Sequence, residues 1–382
     1  MTLRRLPLLT ACLLVLTACS PTAAQPTPTP EPAPAETTPP PRETEAGDLP
    51  VYSNPIDGFF GASHFLNGPS TPEMGFRAGL YQKAWLDEVD HLYGLLERDA
   101  APLLTQQVVD VTQVHQDFMA FVSAQAVAEA YMDYTDGFGQ EDGSYGETIC
   151  RGTGFGGGEA GAGADLARTH VLALREMMDY LSDAPATPYA FDPQTIISQL
   201  EAEGLPYTPG AFTVDPKRTD PPRPEPEDPI GAYFTAHPVE GGGSTAEMWD
   251  EAALERDIWK AELEGAYDQL IAAAHPTDPA PREALEEARE AYLRFAPGFG
   301  RVDGFYRFSG AFMPEYRDAK TMMEMSYGTL AGPQSVWAEA HQYRYLTLRL
   351  WEKMGGLGLE PDYRFDPADW ADRIEGLKAE TG

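Results

Sequence analysis

Cysteine is scarce in this chain, and its placement makes it scarcer. Of three cysteines, Cys12 lies in an apolar leader and Cys19 directly follows it, which leaves Cys150 alone. No intrachain disulfide can form in the mature chain, so packed cores must hold it even in an oxidising compartment. Positive charge is also scarce: 27 Lys plus Arg stand against 60 Asp plus Glu. Once Arg4 and Arg5 leave with the leader, 25 cations face 60 acids, a net charge of −35. Such a chain repels phosphate backbones, which excludes nucleic acid as a partner. A field of this sign attracts cationic partners and speeds their encounter in a salt-dependent way, although it also serves solubility alone. After the leader, no apolar run is long enough to span a bilayer. Alternating strand patterns are rare.

The leader itself is a targeting segment. Arg4 and Arg5 precede the apolar stretch Leu6 to Leu16, and Leu16-Thr17-Ala18-Cys19 has the form of a bacterial lipobox. Residues 1–18 are then a lipoprotein signal peptide, and Cys19 is the acylated first residue, anchoring the chain through its acyl chains. Ser20 stands where an aspartate would signal inner-membrane retention, so the expected location is the outer membrane, facing the periplasm. Residues 19–50 are rich in Pro, Thr, Ala and Glu and form a tether without packed structure. Extended, such a tether reaches up to about 90 Å.

The rest of the chain is written twice, at a near-constant offset of 174 residues. Asn54-Pro-Ile-x-x-Phe59-Phe60 returns as Asp228-Pro-Ile-x-x-Tyr233-Phe234. Trp85, Glu88, Tyr93 and Leu96 return as Trp259, Glu262, Tyr267 and Leu270. Leu172-x-Leu174-Arg175 returns as Leu346-x-Leu348-Arg349, and Tyr189-x-Phe-Asp-Pro193 as Tyr363-x-Phe-Asp-Pro367. Apolar residues fall at spacings of three and four around both tryptophans, which predicts helices. Further helices are expected over 103–132 and 282–295, over 164–181 and 335–354, and after Asp192-Pro193 and Asp366-Pro367, where Asp caps and Pro suits the first turn. The expected fold class is all-α, with helical-bundle domains at 51–205 and 228–382 joined by a Pro-rich linker, 206–227. The Gly-rich stretch Gly152 to Gly163 lacks the Lys-Ser/Thr of a phosphate loop and reads as a flexible loop.

Few polar residues recur, and the duplication weighs them. Ser70-x-x-Glu73 and Ser244-x-x-Glu247 have the capping-box spacing, which accounts for both glutamates without catalysis. Glu88 and Glu262, with Arg175 and Arg349, suggest an interhelical ion pair within each copy. The alternative role for Glu88 and Glu262 is as catalytic carboxylates, which need a suitable separation in one cleft. Trp85, Tyr93, Trp259 and Tyr267 read as core rather than as a sugar platform. Of seven histidines, His64, His91, His115 and His170 face Pro238, Gly265, Arg289 and Arg344 in the other copy, so none of these recurs. His237, His275 and His341 complete the set, and no His-Glu-x-x-His spacing appears. Neither a shared metal centre nor a cofactor is expected, and no Gly-x-Ser-x-Gly elbow marks a serine nucleophile.

Trp259-x-x-Glu-Leu-x-x-x-Tyr-x-x-Leu270, followed by Leu285-Glu-Glu-Ala-Arg-Glu-Ala-Tyr-Leu-Arg-Phe295, resembles the lysozyme inhibitor LprI-like N-terminal domain family. Asp142-Gly143-Ser144-Tyr145-Gly146 fits the family's turn and Arg175 its late arginine; Ser326-Tyr327-Gly328 and Arg349 do so in copy two. The resemblance covers about 100 residues of each copy. It departs at the family's cysteines, to which only Cys150 corresponds, and at the second-helix tryptophan, replaced by Phe118 or Tyr292. The resemblance implies a non-enzymatic, lipid-anchored envelope protein that binds and inhibits a lysozyme, with no inhibitory residue assignable. The alternatives are a binder of another envelope component (a cationic peptide, a wall fragment or a protein), a wall hydrolase built on Glu88 and Glu262, or a structural spacer.

Overall fold

The computed structural model describes residues 49–62, 65–68, 70–135, 137–138, 154–180, 187–205, 207–218, 228–237, 244–313 and 329–381. Cys19, Cys150, His64 and both Ser-Tyr-Gly turns lie outside them. The described residues are overwhelmingly helical, and none of their helices is long and apolar enough to cross a membrane.

The first helix of each copy is short, α1 (Pro55–Gly61) and α7 (Pro229–Ala236). The recurring Asn/Asp-Pro-Ile motif is its start signal. Asn54 Oδ1 accepts from the Asp57 amide at 2.8 Å and Asp228 Oδ1 from the Gly231 amide at 2.6 Å. The proline fills the first turn, where no amide is needed, and Ile56 and Ile230 are fully buried. The long helices α2 (Thr71–Asp99) and α8 (Thr245–Ala273) follow. Ser70 and Ser244 both cap them. Glu247 completes a capping box on Ser244, whereas Glu73 turns to Arg77 at 2.7 Å.

The helix expected over 103–132 is two: α3 (Pro102–Gln107) and α4 (Val111–Tyr134). Asp110 offers its side chain to the Gln113 amide and restarts the helix there, a strong competitor to continuation. Copy two has Ala284 at that position and a continuous α9 (Ala280–Phe308), which carries Pro297 inside it. The next helix also departs from expectation. It runs as α5 (Phe155–Asp179), so the glycines from Gly156 to Gly163 are helical rather than a loop. Close packing overrides their poor helix propensity: a Cβ at Gly158 would sit 2.0 Å from the Tyr134 ring, and Gly157 approaches the Gly75 backbone. Its counterpart is α10 (Ala331–Gly356), and the last helices are α6 (Pro193–Ala202) and α11 (Pro367–Thr381).

Within copy one, α5 packs on α2 and α4; within copy two, α10 packs on α8 and α9. The copies join along α4 and α9, and one buried hydrophobic cluster runs through both. The seam is isologous, as in a two-fold dimer. Phe118 lies 5.1 Å from Phe295, and the equivalent pair, Tyr292 and Phe121, lies at 4.5 Å. Part of the expected linker belongs to copy one. Strand β2 (Thr213–Val214) pairs in parallel with β1 (Val51–Tyr52), and Tyr207 donates to the Phe59 carbonyl at 3.1 Å. Residues 219–227 lie outside the description.

Candidate functional site

The recurring residues build two sites at equivalent addresses, and the sites differ. In copy one, α2 presents Glu88 and α5 presents Arg175 across a packed interface. Arg175 Nη2 donates to Glu88 Oε1, Nη1 donates to the Thr187 carbonyl at 2.6 Å, and the guanidinium lies 3.4 Å from the Tyr189 ring centroid. The Ala190 amide donates to the other Glu88 oxygen at 2.9 Å. Glu88 is 1% exposed and both its oxygens are engaged. This is the intracopy ion pair expected from sequence.

Copy two does not repeat it. Arg349 turns away from Glu262 and crosses to copy one, where it forks onto Glu129 at 2.6 and 2.7 Å and reaches Asp165 at 2.5 Å. Lys353 joins it with a 2.5 Å contact to Asp133. Burial alone would press the Arg349 pKa down, but the charge and hydrogen bond of Glu129, with Tyr345 and Asp165, together outweigh it and the pKa stands well above the ordinary value. The expected Arg349–Glu262 pair is therefore corrected. Glu129 and Asp165 have acidic counterparts, Asp303 and Glu339, at the same 174-residue offset. That signal was legible but pointed nowhere without the packing. Arg175 cannot make the mirror-image crossing, because Arg307 occupies Asp303 at 2.8 Å, and Asp133, the counterpart of Arg307, leaves Glu129 free for Arg349.

The two tyrosines obey the same asymmetry. Tyr93 Oη lies 3.0 Å from His170 Nε2 inside copy one, whereas Tyr267 donates across the seam to Gln125 Oε1 at 2.8 Å, and Gln125 in turn donates to Glu129 at 3.1 Å. The counterparts explain the choice. His170 faces Arg344, which offers no acceptor, and Gln125 faces Phe299, which has none either. His170 is stacked on Phe118 at 3.9 Å; burial, aided by nearby His115, presses its pKa down to about 3. Trp85 and Trp259 are fully buried. Each lies 5.9 Å from a guanidinium, Arg168 and Arg344 respectively, which also clamps the copy's first helix through Asp57 or Asp228.

Glu262 remains as the recurring carboxylate without its cation. It is 2% exposed, and one of its oxygens has no hydrogen-bond partner. Burial raises its pKa, opposed by hydrogen bonds from the Phe365 and Arg364 amides. It lines a pocket of about 110 Å³ between α8 and the segment leading into α11, with Asp257, Asp366, Asp369 and Trp370 and with the cations Arg364 and Arg373. A second, more polar pocket of about 440 Å³ lies over Arg349, Lys353, Asp133 and Asp165 at the seam, but these four charges pair with one another. Glu88 and Glu262 sit in different copies, one sealed under Arg175 and the other in its own pocket, and do not form a pair in one cleft. Among the described residues no three His, Cys, Asp or Glu side chains gather as a metal-ligating group. Comparison of the chain with family models, with curated proteins and with solved structures returned no match.

Proposed function

We propose that the chain is a lipid-anchored, non-enzymatic binding protein of the bacterial cell envelope, held by Cys19 on a Pro-rich tether and directed at a cationic protein. One observation carries the reading: acids far outnumber cations, and five of the arginines are spent inside the fold. Arg168, Arg175, Arg307, Arg344 and Arg349 each close an ion pair with a mostly buried acid. The excess of acid is left to the surface, as with exposed Glu283, Glu287 and Glu290 on α9. A rigid body with that surface steers and holds a basic partner.

The resemblance to the lysozyme inhibitor LprI-like family supports a lysozyme as that partner, since many lysozymes are basic. A wall hydrolase built on Glu88 and Glu262 gains no support, because Glu88 has no free oxygen to offer a substrate. The test is turbidimetric wall lysis by c-type, g-type and i-type lysozymes, with the mature chain added at low and physiological salt. Stoichiometric inhibition that persists at physiological salt is the expected result. Binding without inhibition would favour a partner other than lysozyme among envelope components. No binding to any lysozyme class would sink the lysozyme reading.

A further inference from the structure

The internal duplication acts as a control for Glu262. At the same address in copy one, the carboxylate takes a guanidinium and a backbone amide. In copy two the amides of Arg364 and Phe365 remain, but the guanidinium is committed to Glu129 and Asp165 across the seam. A buried oxygen without a partner is a destabilising feature that a fold keeps only where something compensates it. This oxygen belongs to a carboxylate lining a pocket of about 110 Å³, with Asp257, Asp366 and Asp369 around it and the Trp370 indole in its wall. Two cations also line the pocket, and each has an acid of its own: Arg364 pairs with Asp268 at 2.7 Å and Arg373 with the lining Asp369 at 3.0 Å, and neither makes an ion pair with Glu262.

We propose that this pocket is the seat for an arginine side chain presented by the protein's cationic partner, with Glu262 receiving the guanidinium and Trp370 flanking it. The inference rests on the reading of the body as a binder of a cationic protein, and gives that reading an address. Guanidinium is favoured over ammonium on two grounds. Its planar fork suits a carboxylate and stacks on aromatic faces at a lower dehydration cost. Copy one also fills the equivalent carboxylate with a guanidinium stacked on Tyr189. Burial raises the pKa of Glu262 and the Arg364 charge only partly opposes it; a guanidinium seated on the carboxylate would favour its charged form.

The test titrates acetyl-arginine amide into the full mature chain labelled with 5-fluorotryptophan, following the Trp370 resonance assigned through Trp370→Phe. Expected are a saturable shift, at least ten-fold weaker binding in Glu262→Gln, and no response to the neutral isostere acetyl-citrulline amide. An absent Trp370 response, equal affinity in Glu262→Gln, or an equal response to citrulline would overturn the seat. Should Glu262→Gln fail to fold, the citrulline comparison on the unaltered chain still decides. Lysozyme binding is measured on the same preparation. Lysozyme bound without any Trp370 response removes the seat and leaves the functional reading. A saturable arginine response without lysozyme binding sustains the seat and removes lysozyme as the partner.

Discussion

Arg349 of the second copy lays its guanidinium fork on Glu129 of the first, with Nε 2.6 Å from Oε1 and Nη2 2.7 Å from Oε2. Glu129 is fully buried and Arg349 nearly so. Two halves that share an apolar seam along α4 and α9 are thus also fixed by a charge pair that neither half contains alone. Such a pair sets the register of the halves more than it adds to stability, because desolvation offsets most of its attraction.

Removing one partner of that pair is a different matter from removing both. Arg349→Met leaves the buried Glu129 carboxylate with only the more distant Lys353, at 3.5 Å, as a cation, and the expected loss is about 3 kcal/mol, the lower end for a broken buried pair. The Arg349→Met/Glu129→Met double variant is expected to recover most of it, since apolar replacements of buried pairs are often near neutral. The surface pair Arg364–Asp268 serves as a contrast: Arg364→Gln costs less than about 1 kcal/mol. Urea denaturation midpoints check all three. An additive double variant would refute the coupling across the seam.

The helices of copy two meet more closely than side chains allow. A Cβ at Gly300 would lie 2.4 Å from the Ser335 carbonyl oxygen and 2.9 Å from the Glu339 amide nitrogen, both backbone atoms that cannot move aside. Gly300→Ala is expected to push α9 from α10 and cost about 1–3 kcal/mol, the range for overpacking. Gly94 sits exposed in α2 with nothing near its missing Cβ. There Gly94→Ala gains about 0.5–1 kcal/mol from helix propensity. Opposite shifts in thermal midpoint for the two substitutions are the readout.

What the sequence made legible follows from what each copy does for itself. Trp85 and Trp259, the Asn54 and Asp228 caps, and the Ser70 and Ser244 starts recur because each copy folds its own helices on them. Arg175 with Glu88 was legible for the same reason. Arg349 was not, because its acceptors Glu129 and Asp165 lie in the other copy, and a within-copy comparison looks past them. The helical glycines of α5 escaped local reading because glycine argues against helix until the neighbours Tyr134 and Gly75 are known to press on it. The break at Asp110 was visible as a capping residue, yet the apolar spacing ran through it.

Attachment at Cys19 is testable apart from any partner. Cys19→Ala in the full chain is expected to abolish incorporation of labelled palmitate and to move the protein from the detergent phase to the aqueous phase on Triton X-114 partition. None of the described helices is long and apolar enough to cross a membrane. Continued partition into detergent after Cys19→Ala would show a different anchor.

His170 makes the fold sensitive to acid with a definite sign. It is packed between Tyr93 on α2, Phe118 with His115 nearby on α4, and Phe295 and Phe299 on α9. Its folded pKa is lowered from 6.5 to about 3. Above pH 6.5 both states hold a neutral ring and the fold keeps its full stability. As pH falls below that, the unfolded chain takes up a proton that the folded chain refuses, so stability drops by about 1.4 kcal/mol per unit until the folded pKa is reached. Burial has raised the pKa of Glu255, Glu262, Asp303 and Glu339, and these act with the opposite sign. A difference measurement cancels them: urea unfolding of the natural chain and of His170→Gln at pH 7.5, 6, 5 and 4. The unfolding free energy of the natural chain relative to the variant is expected to be constant at the top of that range and to fall steadily between pH 6 and pH 4. Parallel curves over the whole range would mean that His170 is not held neutral in the core.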